Sequence, residues 1–248
     1  MTGAAMTAQR YQHSIETQRR LGAAPRYNQW IYDLISPYIQ GHLLDIGSAI
    51  GNITQFFLDR ESITSVDIEA DYVSYLNSTF GKQAPLEAHL CDAADPAILE
   101  LFAGKRFDSA MCLNVIEHIP DHQAVLDHVF ALLKPGGHFA VVAPAGPWLY
   151  GTMDAADHHC RRYRLTDMVA IFEQAGFDVV RSKYFNFIGA LGWFYYGRVL
   201  KREFIPGGST LGFADRLIRI GRSIERFIPT PLGQSVLCVG QKPHDSDH

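Results

Sequence analysis

Short apolar runs alternate with amphipathic segments along most of the chain, a pattern typical of an α/β sheet. Seven runs predict strands, at residues 43–46, 62–67, 86–93, 107–114, 138–144, 177–183 and 235–240. Helices are predicted at 11–24, 25–38, 71–80, 121–133 and 166–176. A chain of 248 residues is long enough to bury one full core, so a single α/β domain with an elaboration is expected.

The first predicted strand ends in a glycine turn. Residues 43–46 lead to Gly47 and Gly51, and a helix is expected to follow. Glycine lets the backbone bend sharply and lets a ligand approach, and the free N–H groups of a helix start can bind an anion. A dinucleotide fingerprint requires glycine where this chain has Ala49 and Asn52, so an NAD-dependent oxidoreductase is the less favoured alternative.

A carboxylate closes the second predicted strand. Asp67 ends the run 62–67, about 20 residues after the glycine turn. In a nucleotide-binding sheet, a carboxylate at this spacing accepts hydrogen bonds from both ribose hydroxyls. The sequence therefore predicts that Asp67 holds the ribose of an adenosine cofactor. The alternative is a surface carboxylate without a ligand.

Several motifs in order resemble those of the class I S-adenosylmethionine-dependent methyltransferases. Asp45, Gly47 and Gly51 match the acidic residue and glycines of motif I, and Ala49 departs from it at the middle glycine. A Lys-Pro-Gly-Gly turn before the fifth strand extends the resemblance over residues 43–144. The resemblance implies a doubly wound, seven-stranded, mostly parallel sheet with a helical cap. It also implies transfer of a methyl group from S-adenosyl-L-methionine to an oxygen or nitrogen of a small molecule.

The resemblance assigns cofactor-binding roles to residues at the strand ends. Asp92, followed by the small Ala93, is placed where relatives bind the adenine amino group, which needs an acceptor beside a flat, open surface. Asn114 is expected to face the amino-acid end of the cofactor. The full expected set is Asp45, Gly47, Gly51, Asp67, Ile68, Asp92, Ala93 and Asn114.

A dense polar and aromatic segment, 148–163, follows the fifth predicted strand. It resembles a subset of the family with a Gly-His-Tyr-Arg-Arg-Tyr segment. The matching residues are His159, Arg161, Arg162 and Tyr163, while His158 and Cys160 differ. Histidine takes up a proton near neutral pH, so His159 and His118 are the candidate catalytic residues. The candidate substrate-binding residues are Tyr150, His158, Arg161, Tyr163 and Trp193. Alternatively, the Arg and Tyr side chains cap the next helix or bridge loops.

The segment after the fourth strand bears on metal binding. Some relatives hold a divalent metal there through Glu-x-x-Glu-His, but this chain has Asn114 in place of the first Glu. Hard cations favour several charged oxygens, so no metal is expected. Glu117 is interpreted as a helix-start carboxylate that interacts with the helix dipole.

Three regions are expected: an N-terminal helical cap at 1–42, a methyltransferase core at 43–185 and 235–243, and a helical insertion at 186–234. The insertion is predicted to form two helices, at about 190–201 and 212–227, around a Pro-Gly-Gly turn. Its aromatic residues could roof an acceptor pocket or rest on a lipid-linked substrate, although packing is the default interpretation. Its apolar faces also suit a homodimer contact.

Composition and charge limit the kinds of partner and the cellular location that are expected. A net charge of −4 and the absence of a long Lys/Arg run argue against a nucleic-acid partner. The most apolar stretch is too short and interrupted to span a membrane, and no signal peptide is evident, so a cytoplasmic protein with reduced cysteines is expected. The alternative from another class is a catalytically inactive, S-adenosylmethionine-binding partner or regulatory protein, for which Ala49 is the only hint.

Overall fold

The computed structural model describes residues 25–82, 84–203, 209–227 and 230–244, with side chains omitted for 209–216. The predicted helix at 11–24 and the Pro-Gly-Gly turn of the insertion lie outside these residues. Within them, no helix is long and apolar enough to cross a membrane.

Seven strands form one sheet. They are β1 (His42–Ile46), β2 (Ser62–Asp67), β3 (Leu86–Leu90), β4 (Phe107–Leu113), β5 (Leu133–Pro144), β6 (Asp178–Phe185) and β7 (Ser235–Gln241). Their order is β3-β2-β1-β4-β5-β7-β6, and β7 runs opposite to the other six strands. The predicted doubly wound, mostly parallel sheet is confirmed. The chain reverses its direction of travel across the sheet between β1 and β4, the point where ligands bind in such folds.

Helices cover both faces of the sheet. They are α1 (Pro25–Ile35), α2 (Ala70–Thr79), α3 (Ala97–Leu101), α4 (His122–Leu132), α5 (Thr152–Ala156), α6 (Leu165–Gln174), α7 (Phe187–Trp193) and α8 (Ser209–Glu225). A π-helical segment, Phe194–Val199, continues α7. One apolar cluster packs α4 and α6 on one face, and a second packs α1 and α2 on the other. Because both faces are covered, the central strands are apolar on both sides.

Two predicted elements differ from the structure. The helix expected after the glycine turn is only a 3₁₀ segment, Thr54–Phe57. The Thr54 hydroxyl donates a 2.6 Å hydrogen bond to Asp45, and this contact ties the segment back to β1. The fifth strand begins at Leu133, which pairs with Phe107 before the register shifts, so the Lys-Pro-Gly-Gly turn is an irregularity within β5.

Candidate active site

Polar residues collect at the carboxyl ends of four adjacent parallel strands. Asp45 lies near the end of β1 and Asp67 ends β2, while Asp92 and Asn114 follow β3 and β4. Parallel strands end at the same sheet edge, so the fold brings these residues to the switch point between β1 and β4. Four of the cofactor residues expected from the sequence therefore lie along one edge of the sheet, at the crevice where ligands bind in such folds.

The glycine turn has three residues in the left-handed region. Gly47 has φ 68°, Ala49 has φ 47° and Gly51 has φ 80°. A Cβ on Gly47 would lie 2.4 Å from Cγ2 of Val115, so this position admits only glycine without a shift of the valine. Ala49 adopts a left-handed backbone conformation with a methyl side chain, at a cost of about 1 kcal/mol. The middle position of the turn therefore has the conformation that glycine favours, although its residue is alanine.

Asp67 fixes the turn from the neighbouring strand. Its carboxylate accepts hydrogen bonds from the N–H groups of Ala49 and Glu69, each at 3.0 Å. Desolvation by burial raises the pKa of Asp67, although these backbone hydrogen bonds oppose the increase. Asp45 is buried beneath the turn, where desolvation and then the charge of Asp67 raise its pKa to about 7 against the effect of Thr54. Asp45 therefore supports the loop from inside.

The residues that follow β2 and β3 provide an exposed apolar side chain and a further hydrogen-bond acceptor. The side chain of Ile68 is 67% exposed directly beside Asp67. Asp92 is exposed, and its Oδ1 accepts the N–H of Ala94, while Ala93 is buried. Within the glycine turn, the buried hydroxyl of Ser48 has no hydrogen-bond partner. A carboxylate for the ribose, an exposed apolar side chain for the adenine and an unsatisfied hydroxyl fit S-adenosylmethionine at this edge.

Asn114 occupies a left-handed backbone position, φ 54°, and its N–H donates to the carbonyl of Val142 at 2.8 Å. Helix α1 brings Tyr27 to the same place. The Tyr27 hydroxyl lies 2.8 Å from Ser235 Oγ and also interacts with the Asn114 side chain. Burial raises the pKa of Tyr27 to about 12, so it stays a neutral hydroxyl beside the crevice.

Asp154 organises the segment after β5. The carboxylate is fully buried, and its Oδ1 lies 2.9 Å from Nδ1 of His159 and 2.6 Å from Nε of Arg162. Its Oδ2 accepts from Nε1 of Trp193 at 3.1 Å and from the N–H of Gly151 at 2.9 Å. Burial would raise the pKa of Asp154, but the His159 hydrogen bond and the Arg162 charge lower it overall. Sequence reasoning placed Asp154 in this segment without assigning it a role.

Arg162 is the buried cation of this group. It donates a second hydrogen bond, 2.9 Å, to the carbonyl of Ala145, and its guanidinium lies 4.8 Å from the ring centroid of Trp193. The arginine thus links the end of β5, the polar segment and the insertion. This arrangement supports the scaffold interpretation for Arg162.

Glu117 lies opposite His159. One carboxylate oxygen is 4.0 Å from Nε2 of His159, and the residue is only 1% exposed. Neither oxygen has a hydrogen-bond partner. Desolvation raises the pKa of Glu117 to about 7, although the charges of His159 and Arg162 lower it. Glu117 is the acidic residue in the first turn of a 3₁₀ segment of only three residues, so its predicted position at a helix start holds, but its carboxylate is buried and lacks a hydrogen-bond partner.

Four of the predicted catalytic and substrate residues meet here. The rings of His118 and His159 pack edge to face with centroids 4.8 Å apart. Desolvation and the neighbouring His159 lower the pKa of His118. The hydroxyl of Tyr150 donates to the carbonyl of His159 at 2.9 Å, and Trp193 joins the group through Asp154.

The other three candidates do not join this group through their side chains. His158 is exposed with φ 58°, and its backbone forms a hydrogen bond with His118. Arg161 donates to the carbonyl of Pro120 at 2.9 Å and so bridges two loops. Tyr163 is 3% exposed within the core, and its hydroxyl contacts His122 and the carbonyl of Ile116. These contacts favour the loop-bridging alternative for Arg161 and Tyr163 over contact with substrate.

One group among the described residues could reach a common cation. Glu117, His118 and His159 each offer a ligand atom, and these atoms lie within 4.8 Å of one another. The positive charge of Arg162 acts on the same carboxylate and disfavours a cation there. The expectation that no metal is bound therefore stays a prediction.

Comparison with known proteins identifies the family. Residues 18–182, more than half of the chain, match the model of a methyltransferase domain. Curated relatives include a ubiquinone biosynthesis O-methyltransferase of Coxiella burnetii, 31% identical over 97 residues, which are 39% of this chain and 40% of the relative. The corresponding enzyme of Xylella fastidiosa is 27% identical over 42% of each chain. The chain thus spans about two fifths of the length of the curated relatives that it matches.

Solved structures share the fold over nearly the whole chain. A Haloferax volcanii methyltransferase complex with the Trm112 activator matches with a TM-score of 0.62 and 17% identity, covering 97% of both chains. An S-adenosylmethionine-dependent methyltransferase of Archaeoglobus fulgidus matches with a TM-score of 0.58 and 17% identity, covering 87% of this chain and 94% of that one. The motifs, sheet order and family match together establish that this chain belongs to the class I S-adenosylmethionine-dependent methyltransferases.

Proposed function

We propose that the chain transfers the methyl group of S-adenosylmethionine to a hydroxyl oxygen of a small-molecule acceptor. The observation that carries this proposal is the buried Asp154–His159 pair facing the unpartnered carboxylate of Glu117. An amine that arrives neutral needs no base, whereas a hydroxyl acceptor benefits from one. A site built to accept a proton therefore favours oxygen over nitrogen, and the curated relatives named O-methyltransferases are consistent with this choice.

Asp154 sets the protonation geometry of His159. The hydrogen bond between its carboxylate and Nδ1 keeps the proton on Nδ1 and leaves Nε2 as an acceptor. Nε2 and the Glu117 carboxylate are too far apart, at 4.0 Å, to form a hydrogen bond, so an acceptor hydroxyl placed beside both atoms would bridge them from the side. The hydroxyl proton moves to Nε2 as the oxygen forms its bond to the methyl carbon. The imidazolium is then stabilised by the charge of Asp154.

The cofactor, when bound, supplies a methyl group activated by the positive sulfonium, and its C–S bond breaks as the C–O bond forms. The residues of this chain align the two reactants. Asp67 and Ile68 hold the adenosine end of the cofactor, and Asn114 faces its amino-acid end. Alignment of this kind can account for a large share of the rate acceleration.

The test is methyl transfer by His159→Ala, Glu117→Gln and, as the matched control, His158→Ala. We use tritiated S-adenosylmethionine with a panel of phenols and catechols as acceptors. His159→Ala should lower kcat by about 10²–10⁴-fold with unchanged cofactor affinity, and the exposed His158 should be dispensable. Equal activity of His159→Ala and the control would contradict the proposal. Imidazole ¹⁵N NMR provides a second readout, since His159 should carry its proton on Nδ1.

The same assay distinguishes this enzyme from the alternative of an inactive partner or regulatory protein. Such a protein would bind the cofactor but would transfer no methyl group to any acceptor. We also propose the division into an N-terminal cap, a methyltransferase core and a helical insertion. A homodimer contact through the insertion and a cytoplasmic location are further parts of the proposal. Sedimentation equilibrium tests the dimer, and a monomer at all concentrations would exclude it.

A further inference from the structure

Helix α7 and its π-helical continuation have two different faces. The inner face is Ala190, Trp193 and Gly197, and Trp193 reaches Asp154 of the candidate site. The outer face carries Leu191, Tyr195 and Val199, which are 54%, 52% and 55% exposed and recur every four residues. One helix thus separates the candidate site from an apolar outer surface.

Further large side chains extend this surface. The exposed rings of Trp148 and Phe194 pack against each other with centroids 6.0 Å apart. We refer to the whole surface as the aromatic face; its residues are Trp148, Leu191, Phe194, Tyr195, Val199 and Leu200. Scattered exposed apolar residues need no explanation, but a contiguous patch of this kind marks an interaction site.

The charge of the surrounding segment is opposite to that of the rest of the chain. Residues 186–234 contain seven Lys or Arg and three Asp or Glu, a net charge of +4. The whole chain has a net charge of −4, so the remainder carries −8. Arg198, Lys201 and Arg202 are exposed at the end of the aromatic face. Three exposed cations therefore adjoin the aromatic face within a segment of net positive charge.

We infer that the aromatic face docks on the surface of an anionic lipid bilayer. Aromatic side chains with one polar end favour the membrane interface, and Lys or Arg beside them are attracted to anionic headgroups. The insertion combines both features on an exposed helix, whereas a cationic partner would be repelled by its charge. The chain would bind at the interface without crossing it.

Docking would also place the candidate site beside the bilayer. Trp193 lies one residue before the exposed Phe194, so the helix that rests on lipid also contributes to the group around Asp154 and His159. This part of the inference rests on the proposed function. It identifies the acceptor class as an amphiphile whose hydroxyl-bearing head enters the site while its apolar tail remains in the bilayer.

The test is flotation of the full chain with vesicles of phosphatidylcholine alone or mixed with phosphatidylglycerol. Binding should require the anionic lipid and should weaken at high salt. Each cation at the surface contributes about fivefold, so Lys201→Gln with Arg202→Gln should weaken binding about 25-fold. Phe194→Ser with Tyr195→Ser should also lower binding to anionic vesicles.

Matched controls lie in the connection that precedes β4. Leu101→Ser and Arg106→Gln change an exposed apolar residue and an exposed cation there, and they should leave vesicle binding unchanged. Every variant should bind S-adenosylhomocysteine like the parent, which verifies folding. Failure to float, equal binding to neutral vesicles, or equal loss in the controls would each overturn the docking inference. Cofactor binding and transfer to a soluble acceptor would still test the proposed function separately.

Discussion

Replacing Asp154 by Asn should destabilise the protein more than any surface charge change. Four donors converge on this buried carboxylate, from His159, Arg162, Trp193 and the Gly151 backbone. An asparagine amide offers one acceptor oxygen, and its NH₂ group would face donors, so at least one donor on that side loses its partner. The guanidinium of Arg162, which is 5% exposed, would also lose its counter-charge.

Breaking a buried ion pair in this way costs about 3–5 kcal/mol. A domain has about 5–15 kcal/mol of stability in total, so Asp154→Asn should remove about a fifth of it or more. The matched control is Asp33→Asn, which breaks the ion pair between Asp33 on α1 and Arg222 on α8. Both side chains of that pair are about one third exposed or more, so its loss should cost about 1 kcal/mol or less.

The assay is equilibrium unfolding in urea followed by far-ultraviolet circular dichroism. If Asp154→Asn is too unstable to purify, Trp193→Phe removes a single donor and should cost about 1 kcal/mol. Equal free energies of unfolding for Asp154→Asn and Asp33→Asn would refute the reasoning, because they would mean that the buried network contributes no more than an exposed pair.

Three further predictions concern the site. Burial raises the pKa of Glu117 from 4.5 to about 7, so the parent protein loses stability as the pH rises from about 4.5 to 7. Glu117→Gln removes this titration, so its stability relative to the parent should be higher at pH 8 than at pH 5, by about 1–3 kcal/mol in urea unfolding. An equal effect of the substitution at both pH values would contradict this prediction. Asp67→Ala should weaken S-adenosylhomocysteine binding about 10–100-fold by calorimetry, whereas the exposed Asp59→Ala should not; equal affinities would exclude the ribose role. Chelation with EDTA followed by dialysis should leave methyl transfer unchanged, and loss restored by Zn²⁺ would establish a metal at Glu117, His118 and His159.

The cofactor edge could be predicted because its signals are local. Strand runs, turn glycines and the carboxylate at the end of β2 depend on neighbours in sequence, and the order of the elements then fixes which strand ends meet. The 3₁₀ segment after the glycine turn could not be predicted in this way. It depends on a hydrogen bond from Thr54 back to Asp45, nine residues earlier.

The acceptor side of the site is harder to predict from the sequence, because the residues in contact there are distant from one another along the chain. Trp193 reaches Asp154 across 39 residues, and His159 reaches the buried Glu117 from a segment that is also distant in sequence. The sequence around a carboxylate that follows a strand does not indicate whether the carboxylate will be buried without a hydrogen-bond partner. The Arg and Tyr residues nearest to His159 were assigned to the substrate by adjacency, yet Arg161 and Tyr163 contact the loop after β4 instead.

Calorimetric titration of the purified chain with S-adenosylmethionine, S-adenosylhomocysteine and NADH tests the central claim most directly. The account predicts one site per chain for each of the first two ligands and no heat from NADH, because the edge carries the Asp67 and Ile68 pair with a turn that lacks the dinucleotide glycines. Binding of NADH, or binding of none of the three, would contradict the assignment of this crevice to a methyl-donor cofactor.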